Sequence, residues 1–188
     1  MIISANINNI NLSFKTSPKI FSPHSVDKGT LAMLGIAEFT QGDKVLDLGC
    51  GYGVVGIYAA KIIGSQNITM SDIDAKCIEL SALNAKSNGV DSINIILSNG
   101  FDNIADKGYN AILSNPPYHA DFKIPKHFIE KGFNRLQIGG KMYMVTKRKD
   151  WYKNKLSSVF GGVKLYEIEG YYVFCAEKRN SHYANRKK

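Results

Sequence analysis

Lys44-Val45-Leu46-Asp47-Leu48-Gly49-Cys50-Gly51-Tyr52-Gly53 is an apolar run that breaks into glycines at alternate positions. Its first five residues have the composition of a short buried strand. Glycine at 49, 51 and 53 lets the backbone turn tightly and approach a ligand closely. Val54, Ile57, Tyr58 and Ile62 then recur at helical spacing, so the loop joins a strand to a helix from Gly53 to Ile63.

Working outward, the alternation continues. Strands are predicted at Asn67 to Ser71, Ser92 to Leu97, Tyr109 to Leu113 and Lys141 to Thr146. Helices are predicted at Ala75 to Ser87, ended by Asn88-Gly89, at Ile124 to Leu136, ended by Gly139-Gly140, and at Asp150 to Phe160. Val163 to Ile168 and Tyr171 to Ala176, joined by Glu169-Gly170, form a closing hairpin. Upstream, residues 1–22 alternate loosely as one or two strands, Phe21 to Ser25 is a turn, and Asp27 to Phe39 is a helix closed by Gly42-Asp43. Alternating strands and helices imply parallel pairing through right-handed crossovers. The expected fold is α/β: a doubly wound, mostly parallel, seven-stranded sheet with a terminal antiparallel hairpin. The expected division is an N-terminal strand and loop extension at 1–26, one domain at 27–178, and a basic tail at 179–188, with fraying from Lys178 onward.

The 188 residues are 44% hydrophobic and 21% charged, which excludes a disordered or collagen-like chain. The net charge is +8, but it is uneven. Residues 1–118 carry 8 basic and 10 acidic side chains, whereas residues 119–188 carry 16 and 6. Such an excess points to a polyanionic partner. Cys50, Cys77 and Cys175 make an odd set without a C-x-x-C pair. Neither a disulfide framework nor a metal site is expected, and a reduced cytoplasmic setting is. No apolar run approaches the ~18 residues of a membrane span, and no signal peptide is apparent, so no membrane partner is expected.

In this architecture a ligand binds beyond the carboxyl ends of the strands, at the switch point. Gly51-Tyr52-Gly53-Val54-Val55-Gly56 matches G-x-G-x-x-G, and Asp72 follows 21 positions after Gly51, near the spacing of a ribose-binding acid. A dinucleotide such as NAD, and with it an oxidoreductase, is therefore a rival. Asp47 opposes it, because a carboxylate just before the glycines repels a pyrophosphate and favours an amino group or sulfonium.

Here the sequence resembles class I S-adenosylmethionine-dependent methyltransferases, with Val45 to Gly53 similar to their first motif. The resemblance implies a Rossmann-like methyltransferase fold. It also implies that Asp47 and the backbone of Gly49, Gly51 and Gly53 hold the methionine part of S-adenosylmethionine, that Asp72 binds the ribose, and that Asn99 contacts the adenine. Asp74 is the alternative helix cap.

Ser114-Asn115-Pro116-Pro117-Tyr118-His119 follows the predicted strand Tyr109 to Leu113. Two prolines exclude helix and ladder pairing, leaving a rigid loop at a strand's carboxyl end. A conjugated amino group is a poor nucleophile, since its lone pair is delocalised. The side-chain oxygen of Asn115 and the carbonyl of Pro116 can each accept one of its N–H bonds and align the nitrogen for attack. Pro116 and Pro117 carry no competing N–H, and Tyr118 offers a ring for a planar base. Asn115, Pro116, Pro117 and Tyr118 are thus the catalytic candidates, with Asn115 also counted beside the cofactor. His119 is either a base or an idle loop residue.

Together with Ser98-Asn99, Phe21-Ser22-Pro23 and Asp27-Lys28-Gly29-Thr30, this segment is similar to the catalytic domain of small-subunit ribosomal RNA guanine-N2 methyltransferases. The resemblance spans about Phe21 to Glu177 and implies methylation of guanine N2 in ribosomal RNA, free or in a subunit. It also puts Asp27 to Thr30 over the cofactor pocket, where Asp27 serves alternatively as a plain helix cap. Adenine N6 of RNA or DNA is the alternative target. A protein glutamine methyltransferase and a noncatalytic RNA-binding factor are further alternatives.

Lys141, Lys147, Arg148, Lys149, Lys153 and Lys155 oppose only Asp150 over fifteen residues, with Trp151 and Tyr152 interleaved. Lys147, Arg148 and Lys149 are the candidate RNA contacts. Arg186, Lys187 and Lys188 would add nonspecific phosphate attraction.

Overall fold

The computed structural model describes residues 1–117 and 121–184. The chain opens with a hairpin, β1 (Ile2–Ile7) and β2 (Ile10–Lys15), paired in a sheet of its own. Its two-residue turn is Asn8-Asn9, both at positive φ (48° and 67°), a conformation that asparagine tolerates and hairpin twist demands. Helix α1 (Lys28–Ile36) follows, capped by the side chain of Asp27. It stops three residues before the expected Phe39. Ala37 turns extended, and Phe39 packs edge-on against Tyr58.

The remaining elements are β3 (Val45–Leu48), α2 (Val54–Ile63), β4 (Ile68–Asp72), α3 (Ala75–Ser87), β5 (Asn94–Leu97), β6 (Tyr109–Ser114), α4 (Lys123–Arg135), β7 (Leu136–Thr146), α5 (Asp150–Phe160), β8 (Lys164–Ile168) and β9 (Tyr171–Glu177). The seven-stranded sheet has the order β5-β4-β3-β6-β7-β9-β8. The five strands from β5 to β7 are parallel, and β9 runs antiparallel between β7 and β8. This is the expected fold. Chain order reverses between β3 and β6, so the loops after Leu48 and Ser114 leave the switch point side by side.

Alternate residues of the central strands feed two cores. Ala111, Leu113, Tyr143 and Val145 pack with the residues of α1, α2 and α3, and the hairpin residues Leu12 and Phe14 belong to the same cluster. Ile112, Met142 and Met144 pack with Ile129, Phe133 and Leu156 of α4 and α5. Truncating such a side chain to alanine costs ~2–5 kcal/mol on either face.

Two expectations are corrected. Gly139-Gly140 does not separate helix from strand: β7 already begins at Leu136, and the glycines form a bulge, with the register jumping from Tyr109↔Leu136 to Ala111↔Lys141. A Cβ on Gly140 would lie 2.7 Å from the Tyr109 carbonyl oxygen, so only glycine fits this approach. The tail, expected to fray from Lys178, is held as far as Ala184. Lys178 Nζ donates to the Leu136 carbonyl, the Tyr183 hydroxyl donates to the Glu130 carbonyl, and Ala184 N donates to the Val159 carbonyl. Among the described residues, no helix is long and apolar enough to cross a membrane.

Candidate active site

The glycine loop is held by its own hydrogen bonds. Gly49, Gly51 and Gly53 have φ of 77°, 56° and 96°, where a side chain would be strained. Gly49 N and Cys50 N both donate to the Ser71 carbonyl at the end of β4. Gly51 N donates to Asp72 Oδ2 and Gly56 N to Asp47 Oδ2, each at 2.9 Å. These two N–H groups therefore face carboxylates, not open space for a pyrophosphate. Gly56 is also sterically required, since a Cβ there would lie 2.4 Å from Met70 Cγ.

Asp47 is 2% exposed. Burial pushes its pKa up to about 7; the Gly56 N–H opposes this and the Asp72 charge adds to it. A buried carboxylate so poised is short of a countercharge. Asp72, half-buried, accepts from Gly51 N and, through Oδ1, from Asp74 N. Asp74 itself caps α3 through Lys76 N. The neighbouring thiol of Cys50 is pushed well up by burial, so it stays neutral.

A cavity of about 380 Å³ opens beyond these strand ends, within the range of small-molecule sites. Asp47, Gly49, Gly51 and Asp72 line one part of it, and Asn99, Asn115, Pro116 and Pro117 line another. Gly53 lies outside the lining: its α-carbon faces Ile57, Ser81 and Met70 under the loop. Tyr118 and His119 fall outside the described residues.

Asn115 sits just past β6, tied to the neighbouring strand by the Ser114 hydroxyl, which donates to the Leu48 carbonyl at 2.7 Å. Its Nδ2 donates to Asp27 Oδ2 (2.9 Å) and to Thr30 Oγ1 (3.0 Å). Its Oδ1 is buried and has no hydrogen-bond partner among the described residues. A buried acceptor left unmade is uncommon and costly, and this one belongs to a residue lining the cavity.

Lys147, Arg148 and Lys149 lie between β7 and α5, beside Asn115 along the same sheet edge but outside the cavity lining. Each lies over an aromatic ring: Lys147 over Tyr171 at 5.0 Å, Arg148 over Phe122 at 4.8 Å, and Lys149 over Tyr172 at 5.5 Å. Trp151 stacks on Phe122 at 4.4 Å, so one of its faces is used within the protein. Two cations grouped with this cluster by sequence are paired elsewhere. Lys141 bonds Glu38 at 2.8 Å, and Lys155 bonds Glu130. Arg186, Lys187 and Lys188 lie outside the described residues.

Sequence reasoning missed part of the wall. Ile73, 67% exposed, and Phe128 line the cavity, as do Lys19 to Ser22 after the hairpin. That segment folds over the glycine loop, where the Tyr52 hydroxyl lies 3.4 Å from the Ser22 and Ser25 carbonyls. No local pattern marks them: a single isoleucine between two aspartates is ordinary on a protein surface.

Comparison with known proteins bears on this geometry. The family model described as Methyltransferase small domain matches residues 11–175. Ribosomal RNA small subunit methyltransferase C of Psychromonas ingrahamii is 34% identical over 164 residues, covering 85% of this chain and 46% of that protein. The uncharacterized protein YbxB of Bacillus subtilis is 30% identical over 181 residues, covering 93% and 90%. The structure of T. thermophilus 16S rRNA N2 G1207 methyltransferase (RsmC), in complex with AdoMet and guanosine, superposes with a TM-score of 0.86 at 24% identity, covering 95% of this chain and 50% of that one. The chain thus spans about half the length of the methyltransferase C relatives it matches.

Proposed function

The chain belongs to the methyltransferase small-domain family, and from that premise we propose that it methylates an exocyclic amino group of RNA, namely guanine N2 of ribosomal RNA, with S-adenosylmethionine as cofactor. The observation that carries this reading is the unpartnered Asn115 Oδ1, in the wall of a cavity that also holds Asp47 and Asp72. The names of the Psychromonas and Thermus proteins favour ribosomal RNA, and the latter's favours guanine N2.

The residues fit the cofactor. Asp47 supplies the carboxylate that a buried amino group or sulfonium requires. Asp72 can accept from ribose hydroxyls, Asn99 stands where a base edge would lie, and Ile73 and Phe128 give that base apolar walls. Gly49 and Gly51 keep the backbone thin where the ligand passes, and Gly53 shapes the turn from beneath. When bound, S-adenosylmethionine supplies an electrophilic methyl group on a sulfonium.

The chain does the positioning. Asn115 Oδ1 and the Pro116 carbonyl each accept an N–H of the amino group and hold its nitrogen toward the cavity. As the nitrogen gains its bond to carbon it becomes cationic, and both acceptors stabilise it more strongly. Its surplus proton leaves afterwards, so no strong base is needed before attack. Pro117 keeps the loop rigid, and Tyr118 is assigned the stacking face. Lys147, Arg148 and Lys149 hold the RNA backbone at the rim. Residues 27–178 form the catalytic domain, 1–26 an accessory segment and 179–188 a basic tail, and a ribosomal substrate places the protein in the cytoplasm.

Two measurements test this. Calorimetry should show binding of S-adenosylhomocysteine and none of NAD; the reverse supports an oxidoreductase. Mass spectrometry of nucleosides from a strain lacking the gene should show loss of N2-methylguanosine at one site in ribosomal RNA. Loss of N6-methyladenosine instead transfers the assignment to adenine, and an unchanged profile refutes the RNA activity.

A further inference from the structure

An asparagine amide presents a donor at one end and an acceptor at the other, and rotation by half a turn exchanges them. Asn115 works as an acceptor only if something forbids that rotation. An ionised carboxylate accepts and never donates. Asp27 Oδ2, already receiving Thr30 N at 2.9 Å, also receives Asn115 Nδ2 at 2.9 Å. The Thr30 hydroxyl lies 3.5 Å from the same carboxylate oxygen and 3.0 Å from Asn115 Nδ2. With its proton directed to Asp27, its lone pair faces the amide. Both amide protons are thereby engaged, and a flipped amide would set its oxygen against the acceptor-only carboxylate of Asp27, whichever way the Thr30 hydroxyl turns.

We propose that Asp27 and Thr30 are positioning residues that lock the Asn115 amide so that Oδ1 is held ready for the substrate amino group. This role rests on Asn115 being the acceptor assigned above. The lock is itself braced. The Tyr171 hydroxyl, from β9, lies 3.5 Å from Asp27 Oδ1. A Cβ on Gly29 would fall 2.6 Å from the Tyr171 ring and 2.9 Å from Asp27 Oδ2, so glycine is what lets ring and carboxylate close over the first turn of α1. The start of α1, β9 and the loop after β6 thus meet at the Asp27 carboxylate.

Asp27 is also the N-cap of α1, and the test separates the two roles. Serine caps a helix nearly as well as aspartate but is too short to reach Asn115. Asparagine caps equally, and the Thr30 N–H that now bonds Asp27 Oδ2 would hold its oxygen, not its nitrogen, at that position. Asp27→Ser should lower kcat about ten-fold, as for one lost hydrogen bond, with KM, cofactor affinity and Tm little changed. Asp27→Asn should restore most of the rate. Thr30→Val should behave like Asp27→Ser, and Thr30→Ser like wild type. In ¹⁵N-labelled protein, the two side-chain amide protons of Asn115, assigned against Asn115→Ala, should shift and exchange faster in Asp27→Ser. A wild-type kcat in Asp27→Ser, equal losses in Asp27→Ser and Asp27→Asn, or unmoved amide resonances would overturn the proposal. The resonances report the lock whether or not methyl transfer occurs. An inert wild type whose resonances still respond therefore marks failure of the functional reading alone.

Discussion

Two loops leave the switch point side by side, and they treat their polar atoms in opposite ways. In the glycine loop the carboxylates of Asp47 and Asp72 are already met by backbone N–H groups of the protein. In the Asn115 loop both amide protons are engaged and the acceptor is left open. The first arrangement is self-supporting in shape: backbone hydrogen bonds fix the platform without a ligand. The second stores an unmet demand that a donor from outside relieves. The two carboxylates and the amide thus differ in how far the protein itself already meets them.

That contrast can be broken by mutation. Asn115→Ala should cut turnover by ~10²-fold or more, the scale of a lost transition-state partner, with little change in the cofactor dissociation constant. Rapid-quench transfer assays and calorimetry on one preparation check both halves. Asp72→Ala should do the reverse, weakening cofactor binding ~10–100-fold and slowing saturated turnover far less, because it removes both the ribose acceptor and the partner of Gly51 N. If the two variants share one kinetic signature, the division between platform and reaction centre is wrong.

Legibility in the sequence follows the same division. The glycine loop, Asp47, Asp72 and the Asn115 loop were readable because each is a local pattern attached to a strand end. The Asp27–Asn115 bond joins residues 88 positions apart, and no local pattern encodes it. The same limit explains the basic rim. Lys141 was grouped with Lys147 by proximity in sequence, yet its partner Glu38 lies 103 positions away. The glycine pair at 139–140 signalled a break in regular structure, but sequence alone does not distinguish a turn from a bulge that continues the same strand.

The rim sharpens the comparison further. Replacing both Lys147 and Lys149 by alanine should weaken RNA binding and reduce the slope of log K against log salt by about 2, one unit per lost phosphate contact, with the cofactor dissociation constant unmoved. An unaltered slope in filter binding would remove both residues from the interface.

The smallest effect concerns Asp47. Its pKa is raised from 3.8 to about 7 in the folded chain. The native state therefore keeps a proton that the unfolded chain has lost, and this carboxyl makes stability fall as pH rises through that window, with the full penalty present above pH 7. Asp47→Asn keeps an acceptor for Gly56 N and removes the penalty. Its Tm advantage over wild type should be near zero at pH 4 and on the order of 10 °C at pH 8, while its cofactor affinity falls. A Tm difference independent of pH would contradict the assignment.

The most direct measurement is transfer of a labelled methyl group from S-adenosylmethionine to small-subunit ribosomal RNA, followed by nucleoside digestion and mass spectrometry, with wild type and Asn115→Ala in parallel. Label should appear in N2-methylguanosine with the wild type and be nearly absent with the variant. Label in another nucleoside, or equal incorporation by the two proteins, would contradict the proposed activity.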